Sequence, residues 1–179
     1  MNTTSIRAAV NDDMERILNI YNQGIEDRIA TLEMDVKDIA YMNNWFQQRQ
    51  DRYAVIVAEF AGEVIGWASL NPYSQRCAYD GVADLSIYID RAFRGQGIGG
   101  LLLQHLEVIA KEQRFYKIVL FTFPFNQNGQ GLYHKLGYRD VGVLENQGIL
   151  DGEFVDVKIM EKLLNKGTNP SISFISKNI

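Results

Sequence analysis

Arg91–Leu103, RAFRGQGIGGLLL, carries four of the chain's 15 glycines within positions 95–100, and an apolar helical pattern starts directly behind them. Glycine loses more conformational freedom on folding than any other residue, so such a cluster marks close backbone approach or unusual φ/ψ. The free N–H groups and positive dipole end of a helix N-terminus make the object approached an anion, and a phosphate above all. Arg94 sets a positive charge just before that loop. Gly95–Gly100 formally matches G-x-G-x-x-G, but a dinucleotide site wants a first βαβ unit and an acidic residue about 20 positions further on. Here the loop lies mid-chain, and the strand pattern Lys117–Phe123 that follows ends without a carboxylate. A glycine-rich turn with no ligand is the other reading of the residues alone.

The flanking sequence frames a single domain, 1–164, with a tail, 165–179, that has little periodicity and is expected to fray. At 179 residues, 46% hydrophobic and 22% charged, the chain can bury a real core. A net charge of -4 argues against a nucleic-acid groove or a polybasic membrane surface. No apolar run is long enough to span a bilayer, and Met1–Asp13 lacks the regions of a signal peptide, so a cytoplasmic protein is expected. Cys77 is the only cysteine; no internal disulfide can form, and no metal-ligand set is visible around it or around His105 and His134. Both histidines read as structural or solvent-facing.

Periodicity supplies the elements. Ser5–Ala9 alternates as a short strand; Asn11–Asp13 opens a helix carrying Met14, Ile17, Leu18, Tyr21 and Ile25 on one face. Asp35 is the expected N-cap of a second helix through Trp45 and Phe46. Tyr53–Phe60 and Val64–Leu70 form a hairpin about Ala61–Glu63, and Asn71–Arg76 is a turn-rich loop. Ala83–Asp90 is a strand with Leu85, Ile87 and Ile89 on one face and Asp84, Ser86 and Tyr88 on the other. After the glycines a helix runs to about Arg114 with Leu102, Leu106 and Ile109 inward. The strand Lys117–Phe123, a short helix Asn126–Lys135 stopped by Gly137, and strands Tyr138–Glu145 and Phe154–Lys162 about an Asp151-Gly152 turn complete the chain. The order β-α-α-β-β-β-α-β-α-β-β makes a mixed α+β sheet.

Arg94-x-x-Gly97-x-Gly99, between a strand and an amphipathic helix, resembles the pyrophosphate loop of the GNAT superfamily of N-acetyltransferases. Further segments appear in order: Tyr21–Glu26, Ser86–Ile89, Asn126–Tyr138 and Leu150–Asp156. Together they resemble the phosphinothricin N-acetyltransferase subgroup, with its arsinothricin and methionine-sulfoximine branches, over roughly Ile6 to Leu164. Ile25–Thr31 looks most like the arsinothricin branch. The resemblance implies the GNAT fold, a mostly antiparallel central sheet splayed at the cofactor site and flanked by helices. It also implies a homodimer.

Carried over residue by residue, the resemblance puts the backbone of Ile87, Tyr88 and Ile89 against the pantetheine arm of acetyl-CoA. Arg94, Gly95, Gln96, Gly97, Ile98, Gly99 and Gly100 would hold the pyrophosphate, with Asn126 on the opposite lip. On the residues alone Asn126 is a helix N-cap, and the two roles are compatible. Asp84 aligns with the family's glutamate, the general base, although it is one methylene shorter. Tyr133 stands where the superfamily often has a general acid and this subgroup often has histidine; a tyrosine on a short amphipathic helix is otherwise a core residue. Arg76, Cys77 and Ala78 align with a substrate-contacting segment in which Arg76 would clamp an acidic group. Leu85 and Ser86, with Glu26 and Arg28 as pocket walls, complete the expected acceptor site.

The expected activity is acetyl transfer from acetyl-CoA to the free amine of an amino acid or amino-acid-like toxin within a ternary complex. Asp84 would take the ammonium proton. Cys77 as an acetyl-carrying nucleophile is the rival mechanism. A non-catalytic acetyl-CoA sensor and a protein N-terminal or lysine acetyltransferase are the rival functions; Arg76 and the acidic chain favour a small anionic amine.

Overall fold

Val55, Ile56, Val57 and Ala58 are all buried, a pattern that a strand shows only when both faces of its sheet are covered. The computed structural model describes residues 3–164, so the tail from Asn165 lies outside the described residues. The elements are β1 (Ser5–Ala8), α1 (Met14–Glu26), α2 (Ile39–Gln47), β2 (Val55–Phe60), β3 (Glu63–Pro72), β4 (Val82–Ile89), α3 (Ile98–Glu112), β5 (Lys117–Thr122), α4 (Gln127–Lys135), β6 (Arg139–Leu150) and β7 (Glu153–Leu163). The strands form one sheet in the order β1-β2-β3-β4-β5-β7-β6. Every pairing is antiparallel except β4 with β5.

Strand alternation divides the interior in two. Ile56, Ala58, Ala68, Leu70, Ala83 and Leu85 face α3, whose Leu102, Leu103 and Leu106 are fully buried against them. Val55, Val57 and Trp67 face the other way and meet Met14, Ile17 and Ile20 of α1 and Met42 of α2. The alternation read from β4 holds: Ile87 and Ile89 pack on the α3 side, while Tyr88 packs with the α1 cluster. Burial of these apolar faces, at about 25 cal/mol per Å², is the main force closing both layers.

Both hairpin turns are as expected. Ala61 and Gly62, and again Asp151 and Gly152, adopt paired positive φ, the backbone of a tight hairpin turn whose twist matches its strands. Several boundaries differ, three of them with a visible cause. The second helix is capped by Asp38 rather than Asp35: its carboxylate accepts the Tyr41 N–H at 2.8 Å. β6 runs on to Leu150, past the expected end at Glu145, because irregular register between Leu144 and Gly148 hides its alternation. Asn71 and Pro72 belong to β3 rather than to a loop, paired with Asp84 and Ala83.

The feature that shapes the site is the parallel pair. β4 and β5 are in register only over Val82–Asp84 and Lys117–Val119. Beyond Asp84, β4 stays paired to β3 through Ile89, and β5 stays paired to β7 through Thr122, but the two strands part company.

Candidate active site

A sheet that opens in its middle leaves one edge of β4 without strand partners from Leu85 to Ile89. Unpaired N–H and C=O groups need partners, so this edge is a template for an extended, amide-containing chain. Two clefts occupy the opening. One, of about 470 Å³, runs from Ile87, Tyr88 and Ile89 to the glycine loop and α4. The other, of about 210 Å³, is lined by Asp84, Leu85, Ser86 and Tyr88 on one side and by Phe121, Thr122 and Phe123 on the other. Tyr133 lines both.

The larger cleft ends at the N-terminus of α3. Gly95 and Gly97 hold φ of 75° and 83°, left-handed values that side chains disfavour, and a Cβ on either would stand in open space. The glycines are therefore required by backbone conformation, and they leave N–H groups bare at the positive end of the helix. Arg94 lines the cleft; its guanidinium pairs with Asp27 at 2.6 Å and donates to the Ile89 carbonyl at 3.1 Å. Asp27 also holds Arg91, at 2.8 Å. Asn126 faces the loop as the N-cap of α4, accepting the Gly129 N–H at 3.1 Å and donating to Thr122 Oγ1 at 3.3 Å. Gln96 does not line the cleft: its amide turns back to the Ala92 carbonyl, leaving only its backbone for the loop.

Asp84, at the last position of β4 paired to β5, is the only charged side chain lining the smaller cleft among the described residues. Burial pushes its carboxyl up from 3.8 to about 6, opposed by the Leu85 N–H and the Asn71 amide. Tyr133 is 8% exposed, and burial pushes its phenol up to about 12, so it keeps its proton across the neutral range. The Asp84 carboxyl thus lines the smaller cleft, and the protonated Tyr133 phenol stands where the two clefts meet. The bare strand edge, the glycine cradle and the arginine fit a pantetheine chain ending in a pyrophosphate.

The sequence matches a known family over most of the chain. Residues 14–138 match the Acetyltransferase (GNAT) family. The chain belongs to the GNAT family. It is 31% identical to the L-methionine sulfoximine/L-methionine sulfone acetyltransferase of Pseudomonas paraeruginosa, over 89% of this chain and 94% of that one. It is 29% identical to the phosphinothricin N-acetyltransferase of Streptomyces viridochromogenes, over 88% of this chain and 86% of the other. A GNAT phosphinothricin acetyltransferase from Sinorhizobium meliloti, solved in complex with acetyl-CoA, superposes with a TM-score of 0.88 at 28% identity, covering 95% of this chain and 94% of its own. The protein is an acetyl-CoA-dependent N-acetyltransferase with the splayed GNAT sheet.

Several expected acceptor-site residues of this GNAT enzyme stand elsewhere. Glu26 is exposed and pairs with Arg91 at 3.2 Å. Arg28 has φ 57°, and its guanidinium binds Asp151 at 3.1 Å and the carbonyls of Ile25, Glu33 and Met34; it staples the loop after α1 rather than walling a pocket. Arg76, Cys77 and Ala78 are exposed, in and beside a short 3-10 turn, and line neither cleft. The loop after α1 does reach the acceptor cleft, through Ala30, Thr31 and Leu32. Those residues, with Phe121, Phe123 and Val157, went unread because apolar residues in a strand or loop carry no signal separating a cleft wall from core. His105 and His134 are exposed; His134 pairs with Asp140 at 2.8 Å.

Proposed function

We propose that this enzyme acetylates the α-amine of a free amino acid or amino-acid analogue of the phosphinothricin, arsinothricin or methionine sulfoximine type, by direct transfer in a ternary complex. The observation that carries the reading is the position of Asp84, a lone carboxylate in a cleft of single-amino-acid size that meets the cofactor cleft at Tyr133. An ammonium entering that cleft finds one charge, of the sign that attracts it and of the basicity that can take its proton. The chemistry acetyl-CoA supplies is an activated acyl group on a thiol leaving group. The chain would hold it by backbone pairing along the Leu85–Ile89 edge, with the Gly95–Gly100 amides and Arg94 toward the phosphates. Tyr133, still protonated at neutral pH, is the group positioned to donate to the departing sulfur.

Leu32, Phe121, Phe123 and Val157 give the acceptor cleft an apolar wall that suits an aliphatic side chain. Arg76 remains our candidate for an anionic group of the acceptor, as an exposed cation on the loop between β3 and β4. Cys77 shares that loop and is exposed, away from both clefts, which favours a ternary complex over an acetyl-cysteine. Initial velocities measured while both substrates are varied test this: intersecting lines are expected, and parallel lines, the pattern of an acetyl-enzyme, would contradict it.

A further inference from the structure

Opposite Asp84 in the β3–β4 ladder lies Asn71. Side chains of directly paired antiparallel residues stand about 4.5–5.5 Å apart at Cβ, so the two meet on the cleft-facing side of the sheet. The Asn71 amide is fully committed at its oxygen. Oδ1 accepts from Ser69 Oγ at 3.1 Å and from both terminal nitrogens of Arg49 at 3.2 Å each. Nδ2 donates to Ser86 Oγ at 3.0 Å. A flipped amide would set N–H donors against the Arg49 donors, so the surroundings fix the orientation with NH2 toward β4. One Nδ2 hydrogen then serves Ser86, and the amide also stabilises the ionised Asp84 carboxylate.

Arg49 is an unusual residue to spend on an asparagine. It follows α2, stacks over the Trp45 ring at 4.5 Å, and donates to the Tyr53 carbonyl at 3.0 Å and to the Leu70 carbonyl. No carboxylate pairs with it among the described residues. A half-buried cation without a counterion is costly, and burial pushes this one down to about 10. Its charge polarises the Asn71 amide and strengthens the donor end that faces the base.

We propose that Asn71, locked by Arg49 and Ser69, is the positioning residue of the catalytic carboxylate: it fixes Asp84 and Ser86 at the splay and keeps Asp84 ionised in a desolvated cleft. This rests on the reading of Asp84 as the base. The other polar groups that line the cleft with Asp84 are Ser86 and Tyr88 on its own strand, Thr122 of β5, Tyr133 from α4 and Thr31 from the loop after α1, all neutral near pH 7. Among the described lining residues no second charge touches the carboxylate, so loss of the amide has a readable sign. Without the donor the charged form is less favoured and Asp84 titrates higher.

The test is the acid limb of kcat/KM for the amine at saturating acetyl-CoA. Asn71→Leu is expected to move the limb up by about one pH unit, while acetyl-CoA affinity measured by calorimetry stays within twofold of wild type. Arg49→Met keeps a long side chain over Trp45 and should move the limb in the same direction by less. In the Asn71→Leu background, Arg49→Met should add nothing, since its action passes through the amide. An unmoved limb in Asn71→Leu, or full additivity of the two changes, overturns the proposal. If Asn71→Leu does not fold, Asn71→Asp replaces it, with a limb shifted at least as far upward expected from the second carboxylate. Carboxyl NMR titration of Asp84 reads the same shift without turnover. The base reading fails separately: wild-type rates in Asp84→Asn would remove it, whereas a dead Asp84→Asn with an unmoved Asn71→Leu limb removes only the role of Asn71.

Discussion

A carboxylate that must take a proton from an ammonium works best when its own pKa approaches the working pH. Asp84 reaches about 6 because it is buried, and the same burial makes it a liability for the fold. Its folded-state value lies above the ordinary 3.8, so the folded state holds the proton more tightly than the unfolded one. Its contribution is therefore most favourable at acid pH and is lost as pH rises through about 6. Asp84→Asn should lower kcat by about 10²–10⁴-fold. The same variant should be more stable than wild type at pH 8, on the order of 1–3 kcal/mol by denaturant titration, with the difference vanishing below about pH 4. An inactive variant that is no more stable at pH 8 would show that the carboxylate is not desolvated. Strand alternation set the face of Asp84, and its place in the site was read only from the family resemblance. Asn71 could not be placed: Asn-Pro reads as turn chemistry, and only the hairpin register brings it opposite Asp84. The ion pairs of Glu26 with Arg91 and of Arg28 with Asp151 were illegible for a related reason, since a charged side chain gives no sign in sequence of which partner it meets.

At the level of elements, the glycine loop was the most legible part of the chain. The requirement for bare backbone at a helix start is written in residue identity, and Gly95 and Gly97 do adopt positive φ. Gly97→Ala puts a Cβ where no protein atom lies within 4 Å, so any destabilisation comes from the left-handed backbone, about 1–2 kcal/mol. Gly97→Val adds bulk at the mouth of α3 and should weaken acetyl-CoA binding by about tenfold or more, measured calorimetrically on the folded variant. Unchanged affinity would place the phosphates elsewhere. The divergence of β4 and β5 was expected only through family resemblance. Nothing in the local pattern of Leu85–Ile89 or Leu120–Thr122 shows that two parallel strands stop pairing, because pairing is non-local. The end of β6 was hidden for another reason: its irregular register between Leu144 and Gly148 breaks the period-two signal.

For the whole molecule, the sheet is continuous on either side of the splay and joined across it only at Val82–Asp84 and Lys117–Val119. A ligand that pairs with the open edge of β4 while its phosphates sit at α3 bridges both halves. Acetyl-CoA at about 100 times its dissociation constant should stabilise the fold by about 2.7 kcal/mol, a rise in Tm of about 5–10 °C for a domain of this size. A cofactor fragment lacking the pyrophosphate should give much less. The element order and the two-sided core were legible because buried apolar periodicity is a local signal, whereas the smaller cleft is walled by Thr31, Leu32, Phe121 and Val157, which separate elements bring together. The most direct test of the account is turnover itself. The purified protein is incubated with acetyl-CoA and each of phosphinothricin, methionine sulfone, methionine sulfoximine and the common amino acids, with thiol release followed and products weighed by mass spectrometry. The account predicts thiol release that depends on a free α-amine and matches a singly N-acetylated product, and tight acetyl-CoA binding without turnover of any amine would contradict it.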